Sequence, residues 1–255
     1  MSYEGLFNLK KKVALVVGAA GGLAEETCLG LAHFGAKLAL ADKSFEGLDR
    51  VSSMLGSKGI ASWHHSVDVS DENSVETLFN SLRKKFGRLD IMINFAGLAA
   101  PLPLEKIDAG EFQRIVNVNL LGSFLLAKQS LSLMVPQGSG KIILLGSVQG
   151  QIGRPFSSHY SASKGGVQSM VRTLAVEMAK QNIQINSIAP VFTLTPMSES
   201  VIKDPEAKER ILATIPMGRL GLPSDLVGAM VFLSSSASNF VTGQTLFVDG
   251  GCTIS

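Results

Sequence analysis

At 255 residues, with 45% hydrophobic and 17% charged side chains, the chain has the make-up of a compact globular protein and not of a disordered one. A net charge of +2, with no basic block longer than Lys10-Lys11-Lys12, excludes a nucleic-acid-binding surface of the usual basic kind. No apolar run approaches the roughly 18 residues of a bilayer span, Met1 to Asn8 lacks a signal-peptide pattern, and two cysteines, Cys28 and Cys252, are too few for a disulfide framework, so a reducing cytoplasm is the expected location.

Apolar, β-branched runs alternate with longer helical patterns along the whole chain. Val13–Val17, Lys37–Ala41, Ser62–Val67, Asp90–Asn94, Lys141–Leu145, Gln184–Ile188 and Thr245–Val248 read as strands. Several are nearly continuous hydrophobic runs, as expected where a parallel strand is covered on both faces. Helices are expected at Gly22–Phe34, Ser44–Leu55, Asp71–Phe86, Asp108–Met134, Ser157–Lys180 and Ser224–Leu233. Ser70 or Asp71 offers an N-cap for the third, and Asp225 lies in the first turn of the last. The 27-residue helix from Asp108 is long enough that Gly122 is expected to bend it.

Repeated β-α-β order predicts an α/β fold: one doubly wound parallel sheet of about seven strands, helices on both faces, right-handed crossovers. No linker or repeat divides the chain, so residues 1–255 read as a single domain. The pattern breaks at Pro190 to Met217, a polar excursion leaving the carboxyl end of a strand. Ligands of open α/β sheets bind beyond those ends, which makes residues 191–217 a candidate substrate lid.

The first strand runs into Gly18-Ala19-Ala20-Gly21-Gly22-Leu23-Ala24 and then a helix. Glycines there allow a tight turn and close approach of backbone N–H groups to a pyrophosphate, which a helix N-terminus also attracts. Asp42 closes the second strand 24 residues after Gly18. A carboxylate at that place accepts hydrogen bonds from ribose hydroxyls and repels a 2′-phosphate, favouring NAD over NADP. Lys43 beside it would offset part of that repulsion, and Ser44 is better placed than Asp42 to cap the next helix.

Tyr160-Ser161-Ala162-Ser163-Lys164 puts a phenol and an ammonium on one helix face. Two tyrosines and 15 lysines would produce such a pair by chance about 0.12 times, so the pair alone is unspecific. Its chemistry is pointed, because a neighbouring cation favours the phenolate and brings an ordinary value near ~10 toward neutral pH. Ser147 follows the fifth strand, 13 residues before Tyr160, and Asn119 lies in Asn117-Val118-Asn119-Leu120-Leu121-Gly122.

With these elements the chain resembles the short-chain dehydrogenase/reductase family over essentially its whole length. The resemblance rests on the Gly18–Ala24 turn, Asp42, Asp68-Val69, Asn94-Phe95-Ala96-Gly97, Asn119, Ser147, Tyr-x-x-x-Lys at 160–164 and Asn186-Ser187-Ile188-Ala189-Pro190. It continues through Pro216-Met217-Gly218-Arg219, Thr242-Gly243-Gln244 and Val248-Asp249-Gly250-Gly251. It implies that Tyr160 exchanges the alcohol proton, Lys164 lowers its pKa and binds the nicotinamide ribose, Ser147 orients the substrate oxygen, and Asn119 holds a water linking Lys164 to solvent. It further implies an NAD site formed by Gly18, Ala20, Gly21, Gly22, Leu23, Asp42, Lys43, Asp68, Val69, Asn94, Ala96, Gly97, Tyr160, Lys164, Pro190, Val191, Thr193 and Thr195. Asp68 and Val69 would flank the adenine, and Thr195 would contact the nicotinamide end. Gln149, Phe156, His159 and Phe192 are candidate substrate-pocket residues, and a homotetramer is the implied assembly.

The chain departs from the family pattern at four places. Ala24 stands for the third glycine, Val17 for the threonine before Gly18, Phe95 for the second asparagine of Asn-Asn-Ala-Gly, and Val191 for the glycine after Pro190. In the family the Val17 and Phe95 regions are linked by a hydrogen bond, and losing both polar partners together is close to neutral. The expectation is that Val17 and Phe95 replace that link by packing on each other, while Val191 either narrows the nicotinamide end or alters the lid.

Other signals read as structural. His64 and His65 point to opposite faces of a strand and do not converge on a metal. His159, although beside Tyr160, reads as surface-exposed, and Phe124-Leu125-Leu126 reads as core or subunit interface. The function implied is interconversion of a secondary alcohol and a ketone by hydride transfer with NAD(H). The alternatives are a 3-oxoacyl-[acyl-carrier-protein] reductase and, from another class, a non-catalytic NAD-binding sensor or scaffold.

Overall fold

The computed structural model describes residue 3, residues 5–198 and residues 203–255. Alternate apolar residues of each strand enter two separate interiors. On one face Leu15, Val17, Ala39 and Met92 pack with Val75, Leu78, Phe79, Leu126 and Val171. On the other, Ala14, Val16, Leu38 and Ile93 pack with Cys28, Leu31, Leu48, Val51 and Met230. This period-2 division buries both faces and explains the nearly unbroken hydrophobic runs.

The strands are β1 Val13–Val17, β2 Lys37–Asp42, β3 Ser62–Ser66, β4 Ile91–Asn94, β5 Gly140–Leu145, β6 Ile183–Pro190 and β7 Thr245–Val248. All six pairings are parallel. They form a seven-stranded sheet in the order β3-β2-β1-β4-β5-β6-β7. The chain therefore changes direction across the sheet between β1 and β4, and a crevice opens beyond the ends of those strands.

Helices α1 Ala24–His33, α2 Phe45–Ser57 and α3 Glu72–Phe86 follow the first three strands. Ser44 caps α2, its Oγ accepting from Gly47 N at 3.1 Å, and Asp71 caps α3, accepting from Asn73 N at 3.0 Å. The long helix is interrupted: α4 Ala109–Val116 passes into a π-helical turn, Asn117–Leu121, and then into α5 Gly122–Gln137. The expectation that Gly122 is the bend is corrected, since the irregularity is the turn before it. Gly122 serves close packing instead, because a Cβ there would lie 2.9 Å from Val69 Cγ2. Ala109–Gln137 is also long and apolar enough by composition to cross a membrane, contrary to the reading of the bare sequence, but half of its most apolar window is buried within the fold.

Helix α6 spans Ser158–Met178, α7 Pro205–Leu212 and α8 Pro223–Ser234. Helix α7 lies inside the expected lid and was not anticipated. Asp204 caps it, Pro205 opens it, and Glu206 pairs with Arg210 one turn on. Residues 199–202 of that lid lie outside the described residues. Ile211, Leu212 and Ile215 return to a small third cluster with Val148, Val191, Leu220 and Cys252.

Candidate active site

The turn after β1 is shaped by contact with the end of β4. Gly18 has φ +74°, and a Cβ on it would lie 2.5 Å from Ala96 N, so no larger residue fits without moving backbone. Gly21 N donates to Gly18 O at 3.1 Å, and Leu23 is the N-cap residue of α1. From above, the segment after β6 closes on the turn: a Cβ on Gly22 would lie 2.9 Å from Thr195 Cβ and 2.8 Å from Pro196 Cδ.

Asp42 is half-buried at the end of β2 and faces this turn. Its carboxylate accepts from Ala20 N at 3.0 Å and from Ser44 N at 2.9 Å. Lys43 is turned aside, its Nζ 2.6 Å from Asp68 Oδ2. That hydrogen bond, with a second from Ser70, holds the Asp68 carboxyl at about 2, well below the usual carboxylate range. Val69 is buried against Gly122. Asn94 is buried as well, with Oδ1 accepting from Ala96 N at 2.9 Å and Nδ2 donating to Ser123 Oγ at 3.0 Å.

Val17 and Phe95 do not pack on each other. Val17 belongs to the interior on one face of the sheet and Phe95 to the interior on the other. They are joined only through the backbone, Phe95 N donating to Val17 O at 2.8 Å. The polar link is thus replaced by two independent apolar contacts.

Beyond the ends of β4 and β5 the predicted catalytic side chains come together. Lys164 is fully buried; its Nζ donates to Leu145 O at 2.8 Å and lies 5.8 Å from the centre of the Tyr160 ring. Asn119, in the π-helical turn, donates to Leu98 O at 2.9 Å and Ser163 Oγ at 3.0 Å and accepts from Leu98 N at 2.7 Å. Ser147 is buried in extended backbone, and Gln168 Nε2 holds its carbonyl at 2.8 Å. Between Asn119 and Lys164 the wall is Gly97: a Cβ there would sit 3.3 Å from Asn119 Oδ1 and 3.4 Å from Lys164 Nζ. Ser163, Gln168 and the Leu98 and Leu145 backbones were not singled out from sequence; only Ser163 carried a signal, its place inside the Tyr-x-x-x-Lys turn.

Burial dominates the electrostatics of the pair. It pushes the Tyr160 phenol above its usual value, and a hydrogen bond from Ser147 pulls it partly back. It also pushes the Lys164 ammonium down, to about 7. The expectation that Lys164 brings Tyr160 toward neutral pH is therefore not met in the chain alone, where the phenol stays above its usual value and the hydroxyl of Ser147 offsets burial only in part.

The candidate substrate residues separate. Gln149 lies two residues after Ser147, its Oε1 buried without a hydrogen-bond partner among the described residues. Phe156 is 59% exposed at φ +62°, a strained conformation for a bulky residue, with its carbonyl tied to Leu102 N at 2.8 Å. Phe192 packs on the third cluster, and Val191 is buried in it, so the Val191 side chain points into packing and not toward the nicotinamide end. Thr193 Oγ1 donates to the Val191 carbonyl at 2.8 Å. His159 corrects the expectation of exposure: it is 0% exposed between α6 and α4, its Nε2 3.9 Å from Glu111 Oε1. His64 Nε2 meets Asp49 at 3.1 Å and His65 Nδ1 meets Ser66 O at 2.7 Å, so the two rings diverge. Burial pushes the Cys28 thiol up to about 12, which removes it as a nucleophile.

The three glycines whose side-chain positions are filled by backbone, by Thr195 and Pro196, or by the approach to Lys164 make a cradle suited to a nicotinamide dinucleotide. A family profile described as enoyl-(acyl carrier protein) reductase matches residues 18–253. The chain is 36% identical over 255 residues to a gluconate 5-dehydrogenase of Gluconobacter oxydans, covering all of both chains. It is 36% identical over 247 residues to the 3-oxoacyl-[acyl-carrier-protein] reductase FabG of Thermotoga maritima, covering 96% of this chain and 99% of that one. A crystal structure of a gluconate 5-dehydrogenase from Burkholderia cenocepacia, in complex with NADP and tartrate, superposes with a TM-score of 0.93 at 32% identity, covering 98% of each chain.

Proposed function

The chain belongs to the short-chain dehydrogenase/reductase family and is an oxidoreductase that interconverts secondary alcohols and ketones, and we propose that it does so with NAD(H), using Tyr160 as the general acid/base. The observation that carries this reading is the convergence of Ser147, Tyr160 and the buried Lys164 beyond the ends of β4 and β5, beside the Gly18 turn. A nicotinamide dinucleotide held by the Gly18 turn, Asp42 and Lys164 would supply hydride-transfer chemistry at the carbinol carbon. Ser147 orients the substrate oxygen, and Tyr160 takes the hydroxyl proton during oxidation and returns it during reduction. Lys164, fixed on the Leu145 carbonyl beside the Tyr160 ring, offers donors for a ribose. Asn119, locked by Leu98 and Ser163, holds this wall in register.

NAD is favoured because Asp42 stands against the turn while Lys43 is spent on Asp68. Like charges about 4 Å apart repel by ~1 to ~4 kcal/mol between water and a protein surface. Turnover with NAD⁺ should exceed turnover with NADP⁺ by about tenfold or more, and Asp42→Ala should close that gap; a wild-type preference for NADP⁺ overturns the cofactor reading. The assay panel begins with gluconate, for which the Gluconobacter relative is named. The second reading, a 3-oxoacyl-[acyl-carrier-protein] reductase, is favoured by the Thermotoga relative and would appear as NADPH-dependent reduction of an acetoacetyl thioester.

The same reading includes a single domain over residues 1–255, a lid over 191–217 and a cytoplasmic homotetramer. Thr195 and Pro196 pressed on Gly22 support the lid. Phe112, Leu121 and Phe124, exposed along α4, the π-helical turn and α5, support self-association.

A further inference from the structure

We propose that Arg154 is a carboxylate receptor at the rim of the catalytic cleft, so that the preferred substrate is an anionic hydroxy acid; the assignment rests on the dehydrogenase reading above. Five of the eight arginines are paired with acids: Arg50 with Glu25, Arg88 with Asp90, Arg114 with Glu111, Arg210 with Glu206 and Arg219 with Asp225. Arg83 contacts a serine near the surface, and Arg172 is exposed. Arg154 differs from all of them. It is half-buried, and its contacts among the described residues are neutral: Nη2 donates to Thr214 Oγ1 at 2.9 Å and to Cys252 Sγ at 3.3 Å.

A charge withdrawn from water without a counter-ion is unfavourable unless another partner completes it. Both contacts use one nitrogen, so the donors on Nε and Nη1 stay available for a planar oxyanion. A single guanidinium with no second cation in contact among the described residues matches the one charge of a carboxylate better than a phosphate dianion.

Its place in the fold ties it to the reacting centre. Arg154 lies between Ser147 and Tyr160 in the loop that joins β5 to α6. Its anchors, Thr214 and Cys252, belong to the chain around the third apolar cluster, which includes Val148 next to Ser147 and Val191 next to Pro190. The loop is held firmly two residues on, where Phe156 sits at φ +62° with its carbonyl bound by Leu102 N. Strain of that kind persists where the surroundings over-determine the backbone. The guanidinium is thus presented from a fixed position on the loop that runs from Ser147 to the start of the helix carrying Tyr160.

Calorimetric titration of the enzyme–NADH complex tests this without turnover, using gluconate and its uncharged counterpart sorbitol. The wild type should bind gluconate about tenfold or more tightly than sorbitol, as one charge-assisted bidentate contact implies. Added salt should weaken that preference. Arg154→Gln should reduce gluconate binding to the level of sorbitol while sorbitol and NADH affinities stay unchanged, and Arg154→Lys should recover part of the preference. Equal binding of the two probes by the wild type overturns the proposal, as does a preference that survives in Arg154→Gln. A parallel loss for both probes in that variant also overturns it, marking Arg154 as a tie for the C-terminal segment. Turnover of both polyols, measured separately with NAD⁺, keeps the two readings apart. A preference for gluconate without oxidation of either probe sinks the dehydrogenase reading alone, and oxidation without the preference sinks the carboxylate receptor alone.

Discussion

Phe95 donates its backbone N–H to the Val17 carbonyl at 2.8 Å while the two side chains enter interiors on opposite faces of the sheet. Restoring polar residues at either position therefore strands a hydroxyl or an amide in an apolar cluster. Val17→Thr should cost about 1–3 kcal/mol, and Phe95→Asn about 3 kcal/mol or more, since it also leaves a cavity. The double variant should lose the sum to within about 0.5 kcal/mol in urea denaturation. A double variant clearly more stable than the sum would show that the two side chains meet after all.

Ser147 pulls the Tyr160 phenol down against the effect of burial. Alcohol oxidation needs the phenolate, so kcat/KM should rise with pH along an acidic limb. Removing the hydrogen bond with Ser147→Ala should move that limb to higher pH, beyond lowering the rate by about 10²–10⁴. Tyr160→Phe should abolish oxidation and leave NADH binding, followed by fluorescence, intact. A limb that stays in place in Ser147→Ala would refute the assigned electrostatic role.

Lys164 provides a stability test that needs no substrate. Its value falls from 10.5 to about 7 on folding because the ammonium is desolvated. Below pH 7 it is charged in both states and the full penalty stands. Between about 7 and 10.5 the folded chain sheds the proton first, so this contribution to stability rises with pH. Lys164→Met should accordingly be more stable than the wild type near neutral pH, by an amount on the order of a few kcal/mol less the lost bond to Leu145, and inactive. The difference should shrink by pH 9 in denaturant titrations. Lys141, also buried and lowered to about 8, is present in both proteins and cancels.

Gly22 is where the segment after β6 rests on the first turn. An added methyl would meet Thr195 and Pro196, so Gly22→Ala should push that segment outward and raise the KM for NAD⁺ by about tenfold, with a loss of stability below about 1–2 kcal/mol. Gly18→Ala should fail to fold, since its methyl would meet the Phe95-Ala96 backbone at positive φ. Equal cofactor KM values for Gly22→Ala and wild type would show that the segment yields freely.

The strands were readable because burial on both faces leaves a run of apolar residues that few other structures produce. Ser147, Tyr160 and Lys164 were readable because side-chain chemistry itself marks them. Helix α7 had its marks too, in Asp204-Pro205 and the Glu206–Arg210 spacing, but they lay inside a stretch read as a polar excursion. The burial of His159 depends on α4 crossing the start of α6, and nothing in its neighbours announces that crossing. Val17 and Phe95 were misjudged for a related reason: closeness of two backbones says nothing of which way their side chains point. The neutral surroundings of Arg154 likewise follow only from the return of Thr214 and Cys252 to the loop after β5.

The π-helical turn at Asn117–Leu121 contains one residue more than a regular helix would use. That surplus sets α4 and α5 out of phase by roughly the 100° a single residue turns through. Each half thereby faces its own neighbour, Glu111 toward His159 and Gly122 toward Val69. A chain shortened by one residue here would form a better helix and a poorer enzyme, because the correction would swing Asn119 off Leu98 and Ser163. Length, at this point of the chain, is under chemical control.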